Sequence, residues 1–306
     1  MNFSGPDNKP FLPAGVRADV VTAGNVLLDN QLNSAAADAA KSAAYKEGLQ
    51  MLADSISTKN VEQAFSEFMN STQDLNINPD DPVRQEAFKN SGQSFSTELN
   101  SLGNQFTEIT RKITQSRDLK QIQLENIQQA MSELTRGSAS PETLQQLDAM
   151  KKQVMMLSSS IDGYNQILSG VIPPISSMYI SARDQVVNGT NASYGQNIID
   201  TSGGFQFDPN NLGNVKDLTE FGSQKFNNDM GVMQTHIGSK LNAAGMANDA
   251  LQAILDGTLK TYNEQTGVDL TEQTIKMLQY QRMYEAGTKV IQAQDNMLGS
   301  LLNIMV

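Results

Sequence analysis

Residues 83–134 read VRQEAFKNSGQSFSTELNSLGNQFTEITRKITQSRDLKQIQLENIQQAMSEL. Apolar residues recur along this stretch at steps of three and four: Phe88, Phe95, Leu99, Leu102, Phe106, Ile109 and Ile113, then Leu124, Ile127, Met131 and Leu134. That alternation is the heptad signature of a helix burying one narrow stripe against partner helices. Pro82 stands just ahead of it, and Gly137 and Pro141 lie just beyond. At 1.5 Å per residue such a helix is about 75 Å long, which predicts a rod rather than a globular core. The heptad slips after Ile113, where strict phasing lands on Ser116 or Arg117 and then Lys120 before resuming at Leu124. An inserted four-residue step, a stutter, produces this pattern. Arg111, Lys112, Arg117 and Lys120 near the slip read first as a solvated polar face, and second as a binding contact.

Working outward, Val20–Ser57 has helical periodicity and an alanine run at 35–44, which favours helix and leaves room for close helix–helix approach. Thr58-Lys59-Asn60 predicts a break, followed by a shorter helix with Val61, Phe65, Phe68, Met69 and Leu75 on one face. Asn76–Pro82 forms a turn whose Asp80 and Asp81 suit the N-terminus of the long helix. Pro141 suits the first position of a further helix carrying Leu144, Leu147, Met150, Val154, Leu157 and Ile161. From Gly170 to Gly222 the sequence is turn-rich, with room for one or two hairpins around Gly204-Phe205-Gln206-Phe207. Helical periodicity returns through Phe226, Met230, Met233, Ile237, Leu241, Ala244, Leu251, Leu255 and Leu259. Asp269-Leu270-Thr271-Glu272 then opens a last helix with capping-box spacing. Met277, Tyr284, Ile291, Leu298 and Met305 recur in it every seven residues.

The expected fold class is therefore mainly α: an elongated antiparallel helical bundle of long heptad helices with a small turn-rich insertion in the middle. The expected divisions are an extended leader (1–18), the first part of the bundle (19–169), the insertion (170–222), a returning helix (223–265) and a C-terminal amphipathic helix (266–306). A broad apolar face running up to Val306 predicts that the last helix is buried, within this chain or in an assembly.

Composition narrows the function. A formal charge of −11 would repel a polyanion and so disfavours nucleic acid. The chain has no Cys, which removes disulfides and thiolate chemistry. No apolar run reaches the length of a membrane span, and the first residues lack the layout of a secretory signal. His236 is the single histidine, on a helical stretch with no second ligand near it in sequence. Asn70-Ser71-Thr72, Asn188-Gly189-Thr190 and Asn191-Ala192-Ser193 match a glycosylation pattern that is frequent by chance in Asn- and Ser-rich chains. No catalytic residues, no metal site and no cofactor are expected, and the chain reads as a non-enzyme.

Two stretches resemble the bacterial flagellar axial proteins, and within them the hook-associated proteins of the FlgK type. One is C-terminal: Thr266-Gly267-Val268-Asp269-Leu270-Thr271-Glu272-Gln273, then Leu278-Gln279-Tyr280-Gln281-Arg282-Met283-Tyr284-Glu285-Ala286, Lys289-Val290-Ile291, and Met297 through Leu301-Leu302-Asn303. The other runs from Phe65-Ser66-Glu67-Phe68-Met69-Asn70 through Asn78-Pro79-Asp80-Asp81-Pro82-Val83-Arg84-Gln85 into the long helix. Together they cover about half the chain. The family's usual N-terminal helix motif is not found in residues 1–30, and only about 50 residues occupy the place of its outer β domains.

The resemblance implies a structural subunit of the hook–filament junction, exported through the flagellar type III apparatus without a cleaved signal. Its partners would be the hook protein, a neighbouring hook-associated protein and an export chaperone, with self-assembly in a ring or helical array. The interaction residues would be Met277, Leu278, Tyr284, Val290, Ile291, Leu298, Leu301 and Leu302. The alternative reading is a secreted helical type III effector or tip-like protein that binds a host partner or membrane, supported by the Met- and Ala-rich amphipathic helices.

Overall fold

A computed structural model gives the structure of residues 14–136, 140–194, 197–200, 204–208 and 223–266. The protein is a mainly α helical bundle. Its described helices are α1 (Ala14–Ser55), α2 (Lys59–Ile77), α3 (Pro82–Thr135), α4 (Pro141–Gly170), α5 (Ile172–Tyr194) and α6 (Ser223–Thr266). They contribute to two compact units: a larger one, Ala40–Leu124 with Leu157–Asn248, and a smaller one, Met1–Ala39 with Glu125–Met156 and Asp249–Val306.

The helix ends follow local chemistry. Asp81 Oδ1 accepts the Val83 amide at 2.9 Å, so the expected cap on the long helix forms. Gln85 Nε2 donates to the Pro79 carbonyl at 2.7 Å and braces the same turn. Ser140 Oγ accepts the Thr143 amide at 3.1 Å, with Pro141 in the first helical position where its missing N–H is harmless.

Two expected boundaries differ. Helix α1 begins at Ala14, inside the stretch read as an extended leader over 1–18, while residues 1–13 lie outside the described residues. The 170–222 stretch is not turn-rich throughout, because α5 fills Ile172–Tyr194. Pro173 and Pro174 misled the reading: in a first helical turn neither proline removes an intrahelical hydrogen bond.

In the larger unit, α1 and α2 form one bent arm that runs antiparallel to α3. The Ser57 amide meets Gln105 Oε1, Phe65 meets Phe95, Ser71 meets Ser91, and Arg84 Nη1 donates to the Asp74 carbonyl. The break at 56–58 is thus a bend, held by buried Ile56 and Thr58, and not a reversal. Helices α1 and α4 run parallel: Ser160 Oγ reaches the Ala40 carbonyl, Tyr164 O–H donates to Glu47 at 2.8 Å, and Ile167 packs on Gly48. The alanine run does permit close approach, and Gly163 makes it possible from the other side. A Cβ added at Gly163 would lie 2.4 Å from the Lys41 carbonyl oxygen and 3.0 Å from Ala44 Cβ.

The core of the larger unit is aromatic. Phe65, Phe68, Phe88, Phe95 and Phe226 are essentially inaccessible and contact one another at ring separations of 4.6–5.7 Å. Offset and edge-on pairs of this kind contribute about 0.5–1.5 kcal/mol each beyond area burial. Residues 197–200 and 204–208 close over it. Ile199 and Phe205 form an isolated antiparallel bridge, the remnant of the expected hairpin. The Phe205 ring lies on Gly92, where an added Cβ would come within 2.2 Å of it, and Ser96 Oγ donates to the Gly204 carbonyl. Asn191 pins the other side, accepting the Ile198 and Ile199 amides on Oδ1 and donating to the Ile199 carbonyl from Nδ2.

On α3 every seam residue from Phe88 to Ile113 is buried. The heptad phase then continues through buried Ser116 and Gln123, while Leu124, Ile127, Met131 and Leu134 are only half-buried. The stutter is a polar layer inside the seam. The basic residues beside it face their own helix's acids: Arg111 binds Glu108 through two hydrogen bonds, Lys112 lies 3.8 Å from Glu108, and Arg117 is 2.6 Å from Asp118. Arg111's hydrogen bonds hold the Glu108 carboxyl below its usual range. That is the solvated-face reading of the basic cluster.

Candidate assembly segment

Helix α6 leads directly into the C-terminal stretch read as the assembly segment. Its last five turns belong to the smaller unit, where Leu251, Leu255 and Leu259 turn a stripe inward at steps of four and are half-buried. Near the end of that stripe Tyr262 joins a polar cluster from three helices. Its hydroxyl hydrogen-bonds to Asp29 of α1, and Lys152 of α4 lies 3.7 Å from Asp29 and 3.1 Å from Asp148. Burial, followed by the hydrogen bond to Asp29 and the charges of Asp29 and Asp148, raises the Tyr262 phenol above its ordinary value. A neutral, donating tyrosine therefore fastens the last turns of α6 to α1 within the smaller unit.

This cluster escaped the sequence reading, since its members are far apart in the chain and none breaks a local pattern. The eight residues expected to carry assembly, Met277, Leu278, Tyr284, Val290, Ile291, Leu298, Leu301 and Leu302, lie outside the described residues.

Two recesses among the described residues lack the form of a small-molecule site. The cavity lined by Phe65, Met69, Ala182, Val186 and Phe226 measures about 20 Å³, enough for a single water. An open recess of about 200 Å³ beside Gln63, Glu67, Ser94 and Glu98 is polar and superficial. Among the described residues no three His, Asp or Glu side chains converge as a metal site would require, and His236 is exposed. No described helix is long and apolar enough to cross a membrane.

The described residues thus form a mainly α helical bundle. Residues 259–304 match the family model described as flagellar basal body rod FlgEFG protein C-terminal. The match starts at Leu259, on the inward stripe of α6, includes Tyr262, and covers all eight expected assembly residues. It supports a flagellar rod and hook family protein with a structural role in the flagellum. No curated protein and no solved structure matches the chain.

Proposed function

We propose that this protein is a structural subunit at the junction of hook and filament, working by lateral packing of long helices and by end contacts through its C-terminal segment. The observation that carries the reading is that the family match over 259–304 takes in the heptad positions Met277, Tyr284, Ile291 and Leu298 and begins on helix α6. The resemblance of Phe65–Gln85 and the C-terminal run to hook-associated proteins favours the junction over other flagellar sites. In this reading the chain is exported without a cleaved signal, is held by a chaperone before assembly, and meets the hook protein and a neighbouring hook-associated protein in a ring or helical array. Met277, Leu278, Tyr284, Val290, Ile291, Leu298, Leu301 and Leu302 form the contact surface.

Because the matched model describes rod and hook proteins, a position within the rod or hook itself is the second reading. Removing the chain from Asp269 onward is expected to leave the helical circular dichroism of the remainder intact and to abolish incorporation into flagella. Normal incorporation of the trimmed chain would overturn the assembly role. Immunogold labelling of isolated hook–basal bodies separates the two positions, since a label confined to the rod or the hook shaft rules out the junction.

A further inference from the structure

At successive steps of seven the α3 seam reads Phe88, Phe95, Leu102, Ile109, Ser116 and Gln123, and all six are buried. The first four are large and apolar, and the last two are polar. Past Ile113 the larger unit's part of α3 buries no apolar side chain, and Lys120, at the intervening seam position, is half-buried. The Gln123 side chain is 8% exposed, and its fully buried amide nitrogen has no hydrogen-bond partner among the described residues. A buried donor left unpaired keeps the whole cost of its desolvation, whereas exposure to water returns its hydrogen bonds. The closed layer therefore contributes less to the fold than an apolar layer of the same size.

The helices beside this layer are closed by other means. Counting back along α1 from the Ser57–Gln105 contact places Ala40–Ala44 about level with residues 118–122 of α3. Over that stretch α1 is pressed against α4, with Gly163 on the Lys41 carbonyl and Ser160 Oγ reaching the Ala40 carbonyl at 3.5 Å. This contact between α1 and α4 uses no side chain of α3.

We infer that the Ser116–Gln123 layer is a breakpoint in α3: the helix opens there in the native protein, while the aromatic core before it and the α1–α4 contact beside it stay closed. Opening gives the Gln123 amide its hydrogen bonds from water. It also exposes no fully buried apolar side chain of α3, so what holds Phe88–Ile113 shut is missing at this layer. The inference concerns the larger unit alone and does not depend on where the protein sits in the flagellum.

Native-state hydrogen exchange of the full chain reads the breakpoint directly. Amides of 117–123 are expected to exchange at least about tenfold faster than those of 99–109 in the same helix, and than those of 42–48 in α1 at the same level. Gln123→Leu keeps the helix propensity and removes the unpaired group. It is expected to slow exchange in 117–123 by about tenfold and to leave 99–109 unchanged. Gln128→Leu, at an exposed position of the same helix, is expected to change neither segment. Uniform exchange from 99 through 123 would overturn the breakpoint. So would fast exchange that Gln123→Leu fails to slow, because the amide would then already be satisfied inside the layer. Exchange of 42–48 as fast as that of 117–123 would overturn it too, since the whole cross-section would then be opening. The parent chain alone decides the first and the last of these outcomes, so the test stands even if the variant does not fold.

Discussion

The same helices build two differently packed regions. In the larger unit α3 is sealed from Phe88 to Ile113, and Phe65, Phe68 and Phe226 pack around it at full burial. In the smaller unit α3 continues with Ile127, Met131 and Leu134, α4 with Leu147, Met150 and Val154, and α6 with Leu251, Leu255 and Leu259, and all nine are half-buried. Its buried apolar side chains among the described residues are few: Leu28, Leu32, Ala35, Ala39 and Met156. Apolar periodicity is equally regular in both. Its yield in burial is unequal because the larger unit also has α2, α5 and the Ile199–Phe205 bridge to close over the stripes. A scaffold is locked where aromatic side chains fill every gap, and surface is left for other helices where only stripes of leucine and alanine meet.

This contrast can be broken by mutation. Phe95→Ala removes a ring that touches Phe65, Phe68 and Phe226, and is expected to destabilise the larger unit by about 3–5 kcal/mol in urea unfolding. The matching Leu255→Ala in the smaller unit is expected to cost less, about 1–2 kcal/mol, since that side chain is only partly buried. Equal losses would show that the two regions are packed alike.

Gly163→Ala probes how tightly the larger unit is closed. The new methyl must push α4 away from the Lys41 carbonyl, an overpacking expected to cost about 1–3 kcal/mol and to lower the thermal midpoint. An unchanged midpoint would mean that the α1–α4 contact is loose.

The smallest effect concerns Tyr179, whose hydroxyl donates to the Leu99 carbonyl at 2.6 Å while its ring stacks on Phe106. Burial raises this phenol above its ordinary value of 10.0. The unfolded chain loses that proton first, so the contribution to stability is complete below the ordinary value and is lost as pH rises through the folded one. Tyr179→Phe is expected to cost about 1 kcal/mol at neutral pH and to flatten the decline of the urea midpoint above about pH 10. A decline as steep as in the parent would assign the alkaline loss to other groups.

Much of the larger unit was legible in advance. The α3 seam, the Asp81 cap, the Pro141 start and the returning stripe Phe226–Ile237 are each fixed by residues within a few positions of one another. Long-range contacts were not legible. Nothing near Asn191 in sequence announces that its amide will hold Ile198 and Ile199, and Pro173-Pro174 reads as a loop until it is seen as the first turn of α5. The Tyr262–Asp29–Lys152–Asp148 cluster draws on three helices and was invisible for the same reason.

By itself, then, the sequence determined the described helices and their inward stripes, because a 3.6-residue period and a cap are local properties of the chain. Only the tertiary structure decided which stripes are sealed and which stay half-open. It also made α1 and α4 parallel neighbours across Gly163. Those outcomes depend on which side chains of distant segments fill the same volume, and periodicity along one helix carries no information about that.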